Sequence, residues 1–190
     1  QLEAIAGASQ ESGAETWVMA PMISTPAEAA EFAGLARAAG LGTVGVMVEI
    51  PSAALQAEEI LSEVDFVSIG TNDLAQYAMA TDRQASGLGG LQDPWQPAVL
   101  RLLGMVGDAG RRAGKPVGVC GEAAADPALA AVLVGLGVTS LSMALRALEP
   151  VRRTLARVTV EDCRRAAEAA LASSSPTAAR EEVSRVLEMR

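Results

Sequence analysis

Five short apolar runs, each followed by a stretch of helical character, set the tightest limit on what this chain can fold into. They are Trp17–Ile23 (WVMAPMI), Val44–Val48 (VGVMV), Phe66–Ile69 (FVSI), Val117–Cys120 (VGVC) and Leu141–Met143 (LSM). They do not alternate apolar with polar as a half-solvated strand does, so they read as strands buried on both faces. Helix starts separate them: Thr25-Pro26 with Glu28, Ser52 after Pro51, and Asp126-Pro127. Gly40 and Gly114 fall where helices should stop. Alternation of this kind demands right-handed crossovers and a parallel sheet. Two α/β architectures satisfy it: a doubly wound open sheet, or part of a (β/α)8 barrel, whose complete form takes about 250 residues.

Composition narrows the function. The 190 residues are 50% hydrophobic and 20% charged, which excludes a disordered, solvating chain. Aromatic residues make up only 3%, so the core must be aliphatic, as suits helices on a parallel sheet. A net charge of −8 without a basic stripe argues against nucleic acid. There is no histidine, which rules out a Ser–His–Asp triad, a His-ligated zinc and a phosphohistidine on this chain. Cys120 and Cys163 form no CxxC pair, no apolar run reaches a membrane span, and Gln1 opens no signal-peptide pattern. The expectation is an acidic globular domain of the cytoplasm.

Polar residues gather at the carboxyl ends of the predicted strands: Ser24-Thr25, Glu49, Thr71-Asn72-Asp73 and Cys120-Gly121-Glu122. Ligands bind there in both architectures. Glu49 and Asp73 end adjacent strands, roughly 4.8 Å apart, and like charges that close call for a cation between them. Magnesium suits such a pair, with water and phosphate oxygens filling its other positions. The blander reading makes Glu49 a solvated strand-end acid and Thr71-Asn72-Asp73 a helix N-cap. Arg83 either pairs with Asp82 or forks onto a phosphate or carboxylate. Cys120, between Gly118 and Gly121, is either a structural cysteine or a proton donor. Cys163 receives no role. Residues 84–97 read as a long loop over the strand ends. The chain is expected to be helical from Pro150, with Ser173–Pro176 as a hinge between two packing or interface helices. Met47, Met79 and Met143 are expected to fill core space.

These residues carry a family resemblance. Gly45-Val-Met-Val-Glu49, Val64–Leu74 (VDFVSIGTNDL), Asp82-Arg83 and Val117–Glu122 (VGVCGE) resemble the phosphoenolpyruvate-utilising enzymes. Ser68–Tyr77 (SIGTNDLAQY) and Ala80–Arg83 (ATDR) are most similar to the enzyme I group of the sugar phosphotransferase system, the phosphoenolpyruvate–protein phosphotransferases. Trp17–Ser24 and the terminal helices fit as well, so the likeness covers essentially the whole chain.

The resemblance implies a phosphoenolpyruvate-binding (β/α)8 barrel, of which residues 1–190 supply the C-terminal part with roughly the last five βα units. Glu49 and Asp73 match magnesium ligands; Asn72, Asp73 and Arg83 match substrate-binding residues; Cys120 matches the acid that protonates the enolate to pyruvate. It also implies a phosphohistidine domain, a histidine phosphocarrier protein and a homodimer as partners. Counterparts of the family's arginines on earlier strands are absent, so the isolated chain is expected to be inactive. Asp93–Pro97 (DPWQP) departs from the family loop. A pyruvate phosphate dikinase or phosphoenolpyruvate synthase is the nearer alternative, disfavoured by Ala123-Ala124 where dikinases tend to carry a histidine. A non-catalytic dimerisation or phosphoenolpyruvate-sensing module is the more distant one.

Overall fold

A computed structural model describes residues 1–82 and 87–188. The elements follow in the order α1 (Leu2–Ser12), β1 (Trp17–Ala20), α2 (Pro26–Ala38), β2 (Thr43–Val48), α3 (Pro51–Leu55), α4 (Ala57–Glu63), β3 (Phe66–Gly70), α5 (Thr71–Ala78) and α6 (Pro97–Ala113). Then come β4 (Val117–Cys120), α7 (Glu122–Ala125), α8 (Pro127–Gly135), β5 (Ser140–Ser142), α9 (Leu145–Leu155), α10 (Val160–Ala172) and α11 (Pro176–Glu188). Among the described residues no helix is long and apolar enough to cross a membrane.

The strands pair in parallel and in chain order, β1-β2-β3-β4-β5. A doubly wound sheet reverses its strand order at a switch point and carries helices on both faces. Here no reversal occurs, so right-handed crossovers place the connecting helices on one face. The doubly wound alternative therefore falls, and the sheet is singly wound.

The register shows how the sequence divides the two faces. Val18, Val44, Val46, Val48, Val67, Ile69, Val117 and Val119 are in phase and buried beneath the helices. The other phase is Trp17, Met19, Gly45, Met47, Phe66, Ser68, Gly70, Gly118, Cys120, Ser140 and Ser142. Burial on both faces, expected for every strand, holds for the central β3 alone in full. On β1 it fails: Trp17 is 51% and Met19 43% exposed, and Ser140 and Ser142 of β5 are exposed too. Helices cover one side of the sheet, and only neighbouring strands shelter the other. Phe66 lies over Gly45, where a Cβ would come within 2.5 Å of its ring, and packs on Trp17 at 4.9 Å between centroids.

Local signals place the helices. Thr25 and Glu28 form a reciprocal capping box with Pro26 at the first position. Asp126 accepts the N–H groups of Ala128 and Leu129 at the start of α8. Lys115 donates to the carbonyls of Leu61 and Val64 (2.5 and 2.8 Å), which places a cation at the C-terminus of α4.

The C-terminal helices depart from expectation at their start. Helix α9 begins at Leu145 and carries Pro150 inside it, on the exposed side where a missing N–H disturbs no packing. Helix α10 packs on α8 so closely that a Cβ on Gly135 would overlap the Cys163 carbonyl. Helix α11 folds back with Ala179 and Val183 fully buried. Its Arg180 grips Asp93 through two hydrogen bonds of 2.7 Å and lies over the Trp95 ring at 5.4 Å. Trp95 is 1% exposed, and its indole N–H donates to Asp126 at 2.8 Å. The segment expected to be a loop over the strand ends is thus pinned, at 93–96, between α8 and α11.

Candidate active site at the carboxyl ends of the strands

Glu49 follows the last residue of β2 and is 6% exposed. Its Oε2 accepts the Met22 N–H at 3.0 Å. Met22 holds a left-handed backbone (φ 58°) in the turn after β1, which a non-glycine residue adopts at some cost. On the other side lies Gly70, where a Cβ would come within 2.5 Å of Glu49 Oε1. The bare backbone of Gly70 is what leaves room for the carboxylate. Glu49 is therefore not the solvated strand-end acid of the bland reading.

Thr71, Asn72 and Asp73 are the first three residues of α5, and Gly70 occupies the N-cap with no side-chain cap. The N-capping reading of the three polar residues does not hold. The Thr71 hydroxyl instead donates to the Cys120 carbonyl at 3.0 Å, tying α5 to the end of β4. Asn72 lines a cavity of about 350 Å³ with Gly121, Glu122, Ser142, Met143 and Arg146. Gly121 has φ 99°, and a Cβ on it would sit 2.9 Å from Thr71 Oγ1. Arg83 lies outside the described residues.

Cys120 ends β4 directly opposite Gly70 in the register and is half-buried. Its Sγ–H donates to the Ile69 carbonyl at 3.5 Å. Burial pushes the thiol above its ordinary range, the nearby Ser68 side chain offsets part of this, and the charges of Glu49 and then Asp73 push it further up. Glu49 lies against Gly70, Gly70 stands opposite Cys120, and Asp73 is in the first turn of the helix that Gly70 opens, so the three share the mouth formed by β2, β3 and β4. Cys163 is buried in α10, its thiol raised by burial and by Asp162, away from the strand ends. Among the described residues no group of three or more His, Cys, Asp or Glu could hold a metal by itself. The mouth offers a carboxylate pair.

Two participants, Met22 and Gly70, are given no role by the sequence reading. Met22 contributes a backbone N–H, which carries no residue signature. Gly70 is visible only as a glycine before polar residues, and Thr71, singled out with Asn72 and Asp73, ties α5 to β4.

Residues 1–160 match the model of the family described as PEP-utilising enzyme, PEP-binding domain. The phosphoenolpyruvate-protein phosphotransferase of Streptomyces coelicolor is 54% identical over 188 residues, covering 98% of this chain and 34% of that protein. The protein of the same name from Geobacillus stearothermophilus is 46% identical over 138 residues, 73% of this chain and 24% of its own length. The chain thus spans about a third or less of these relatives. A citrate lyase from Burkholderia xenovorans shares the fold alone, at 19% identity and a TM-score of 0.55, over 90% of this chain and 62% of that one. A family match across most of the chain, with a relative of this identity along nearly all of it, shows that the chain belongs to the phosphoenolpyruvate-utilising enzymes, as their phosphoenolpyruvate-binding domain.

Proposed function

We propose that this chain is the C-terminal part of the phosphoenolpyruvate-binding barrel of a phosphoenolpyruvate–protein phosphotransferase serving sugar uptake. The observation that carries the reading is that Glu49 lies against Gly70, which pairs with Cys120 across β3 and β4 and opens the helix whose first turn holds Asn72 and Asp73. The chain-order parallel sheet supports the barrel, since its two edges and the exposed inward side chains of β1 and β5 are surfaces that three further βα units would cover.

The residues fit a magnesium ion. Glu49 is buried yet accepts a single hydrogen bond from the described residues, and a buried carboxylate so sparsely supplied with donors favours a cation. Glu49 and Asp73 would hold it. When bound, magnesium neutralises phosphoryl and enolate oxygens. Asn72 and Arg83 would bind the substrate's anionic groups, the amide by hydrogen bonding and the guanidinium by a charge-assisted fork. The phosphoryl group leaves for a histidine on another domain, as this chain has none, and passes on to a phosphocarrier protein. Cys120 then gives its proton to the methylene carbon of the enolate: a C–H bond forms, the S–H bond breaks, and the negative charge moves to sulfur. Solvent returns the proton. The homodimer implied by the resemblance belongs to this proposal, as does the inactivity of the chain alone.

Titration calorimetry with phosphoenolpyruvate, with and without magnesium, tests it on the full polypeptide carrying this chain. Magnesium-dependent binding lost in both Glu49→Gln and Asp73→Asn is expected. Equal affinity in the two variants and the unaltered protein would remove the pair from the site.

A further inference from the structure

Ser52 is legible in the sequence as a helix start, yet α3 has no side-chain cap and its N-cap position falls on Ile50. The Ser52 hydroxyl turns elsewhere. It donates to the Ser24 carbonyl at 3.0 Å, across 28 positions, and Gln56 adds a longer bond of 3.5 Å to the same oxygen. The N–H groups of Ser24 and Thr25 donate to the Glu28 carboxylate at 2.8 and 3.0 Å. Ser24 is thus gripped from α2 through its N–H and from α3 through its carbonyl. Between it and β1 stand Pro21, whose ring fixes φ, and Ile23, which is buried. Met22 is left to close the turn, and it does so at φ 58°, where side chains are disfavoured. Strain of this kind persists only where the surroundings over-determine it, and it gathers at functional sites. Here it brings the Met22 N–H to Glu49 Oε2, 3.0 Å away.

We infer that Ser52 is a positioning residue for Glu49: its grip on the Ser24 carbonyl holds the turn that presents the Met22 N–H to the carboxylate. This rests on the reading of Glu49 as a magnesium ligand. Two hydrogen bonds run between the same two segments. Residues 22 and 24 of the turn meet residues 49 and 52, which only Ile50 and Pro51 separate. The stiff proline link ties the second bond to the first. Without Ser52, relaxation of Met22 toward negative φ would reorient the peptide planes of the turn, its own N–H among them. Oε2 would then lose its donor. On the other side of the carboxylate, Gly70 offers room but no side chain to hold it. A carboxylate with one oxygen fixed to backbone is already oriented for a cation, whereas a loose one must be ordered when the metal binds. Ser52 therefore acts on metal affinity through Met22, as a partner of the ligand and not as a ligand.

Two readouts on the full polypeptide decide it. The first is amide hydrogen exchange of residues 21–25, followed by mass spectrometry without magnesium or phosphoenolpyruvate. Ser52→Ala should exchange roughly fivefold faster there, the worth of about one hydrogen bond. The second is calorimetric titration of magnesium at a fixed phosphoenolpyruvate concentration. Ser52→Ala should raise the half-saturating magnesium concentration roughly tenfold, the low end of what losing an outer partner of a ligand costs. Ser52→Thr, which keeps the hydroxyl, should restore both. Faster exchange and lower thermal stability with an unchanged magnesium dependence would make Ser52 a structural residue only and overturn the inference. Unchanged exchange overturns it as well. Glu49→Gln separates this inference from the reading beneath it. If that variant loses the magnesium dependence while Ser52→Ala keeps it in full, the positioning role alone fails. If Glu49→Gln leaves the dependence intact, the metal reading fails, and the role of Ser52 with it.

Discussion

Along β2, β3 and β4 each residue alternates between two environments a side chain's width apart. On the outward phase stand Val44, Val46, Val48, Val67, Ile69, Val117 and Val119, all fully buried under helices and interchangeable in chemical kind. On the inward phase stand Gly45, Met47, Ser68, Gly70, Gly118 and Cys120, with Glu49 just beyond, and no two do the same thing. Gly45 admits the Phe66 ring, Gly70 admits the Glu49 carboxylate, and the Cys120 Sγ–H donates to the Ile69 carbonyl. The outward phase is held by area removed from water, which tolerates exchange of shape and size. The inward phase is held by particular contacts, which do not. One sheet therefore carries the fold on one face and the proposed chemistry on the other. Substitutions on the two should separate stability from activity.

The largest separation is expected between the two cysteines. Cys120→Ala should reduce pyruvate formation by about 10²–10⁴-fold, the usual worth of a general acid, with little change in thermal stability. Cys163→Ala, in α10, should leave the rate per folded molecule unchanged. Equal steady-state rates for the two variants would return Cys120 to the role of a structural cysteine.

Gly70→Ala sharpens the contrast, because it adds one methyl group on the inward face. That methyl would meet Glu49 Oε1 at 2.5 Å and Cγ at 2.6 Å, so the carboxylate must move. Magnesium affinity is expected to fall roughly 10–100-fold, as when a ligand loses its support. Measured by calorimetry, an unaltered affinity would show that Glu49 does not need this position. The outward counterpart is Val46→Ala, beneath the helices. It should cost about 2 kcal/mol of stability by denaturant titration while ligand affinity stays constant. A loss of affinity there would show that the two faces are coupled.

Legibility in the sequence follows the same divide. The outward phase announced five strands in nearly their true places, because aliphatic runs buried under helices have few other ways to arise. Thr25, Glu28 and Asp126 were legible as caps for a local reason, since each acts within three residues of itself. Long-range pairings left no such trace. Asp93 and Arg180 meet across 87 positions, and Trp95 gave no sign that it would end among α8 and α11 rather than over the strand ends. Exposure of Trp17 and Met19 was equally hidden, because an apolar strand looks the same whether or not a neighbour covers it. At the mouth, Glu49, Asp73 and Cys120 could be picked out as reactive types at strand ends. The Met22 N–H that holds Glu49 could not, being backbone.

The smallest effect concerns the staple that joins the outer layer to the rim of the mouth. Burial alone would raise the Asp93 carboxyl, but the Arg180 hydrogen bonds and the Trp95 N–H outweigh it, so the group sits below its ordinary range. Arg180 is correspondingly raised, chiefly by its hydrogen bond to Asp93, and stays charged at any ordinary pH. A carboxyl lowered by folding binds protons more readily in the unfolded chain. Its stabilising contribution is therefore complete above the unfolded value, roughly pH 4, and fades as the pH falls through the lower folded value. Asp93→Asn should accordingly be less stable than the unaltered chain near neutrality, and the gap should narrow as the pH falls below about 4. The pair is partly exposed, so the difference should also shrink in high salt. Asp126 links this staple to the mouth: it holds Trp95 and caps α8, one residue after the helix whose Glu122 and Ala125 line the Asn72 cavity. Thermal melts across pH, paired with ligand titrations, distinguish a clamp from a transmitter. Stability that changes while affinity does not would mean that α11 only secures the outer layer. Affinity falling with stability in Asp93→Asn would mean that the contact between α11 and α8 helps set the mouth, and the separation of the two faces would then end at Asp126.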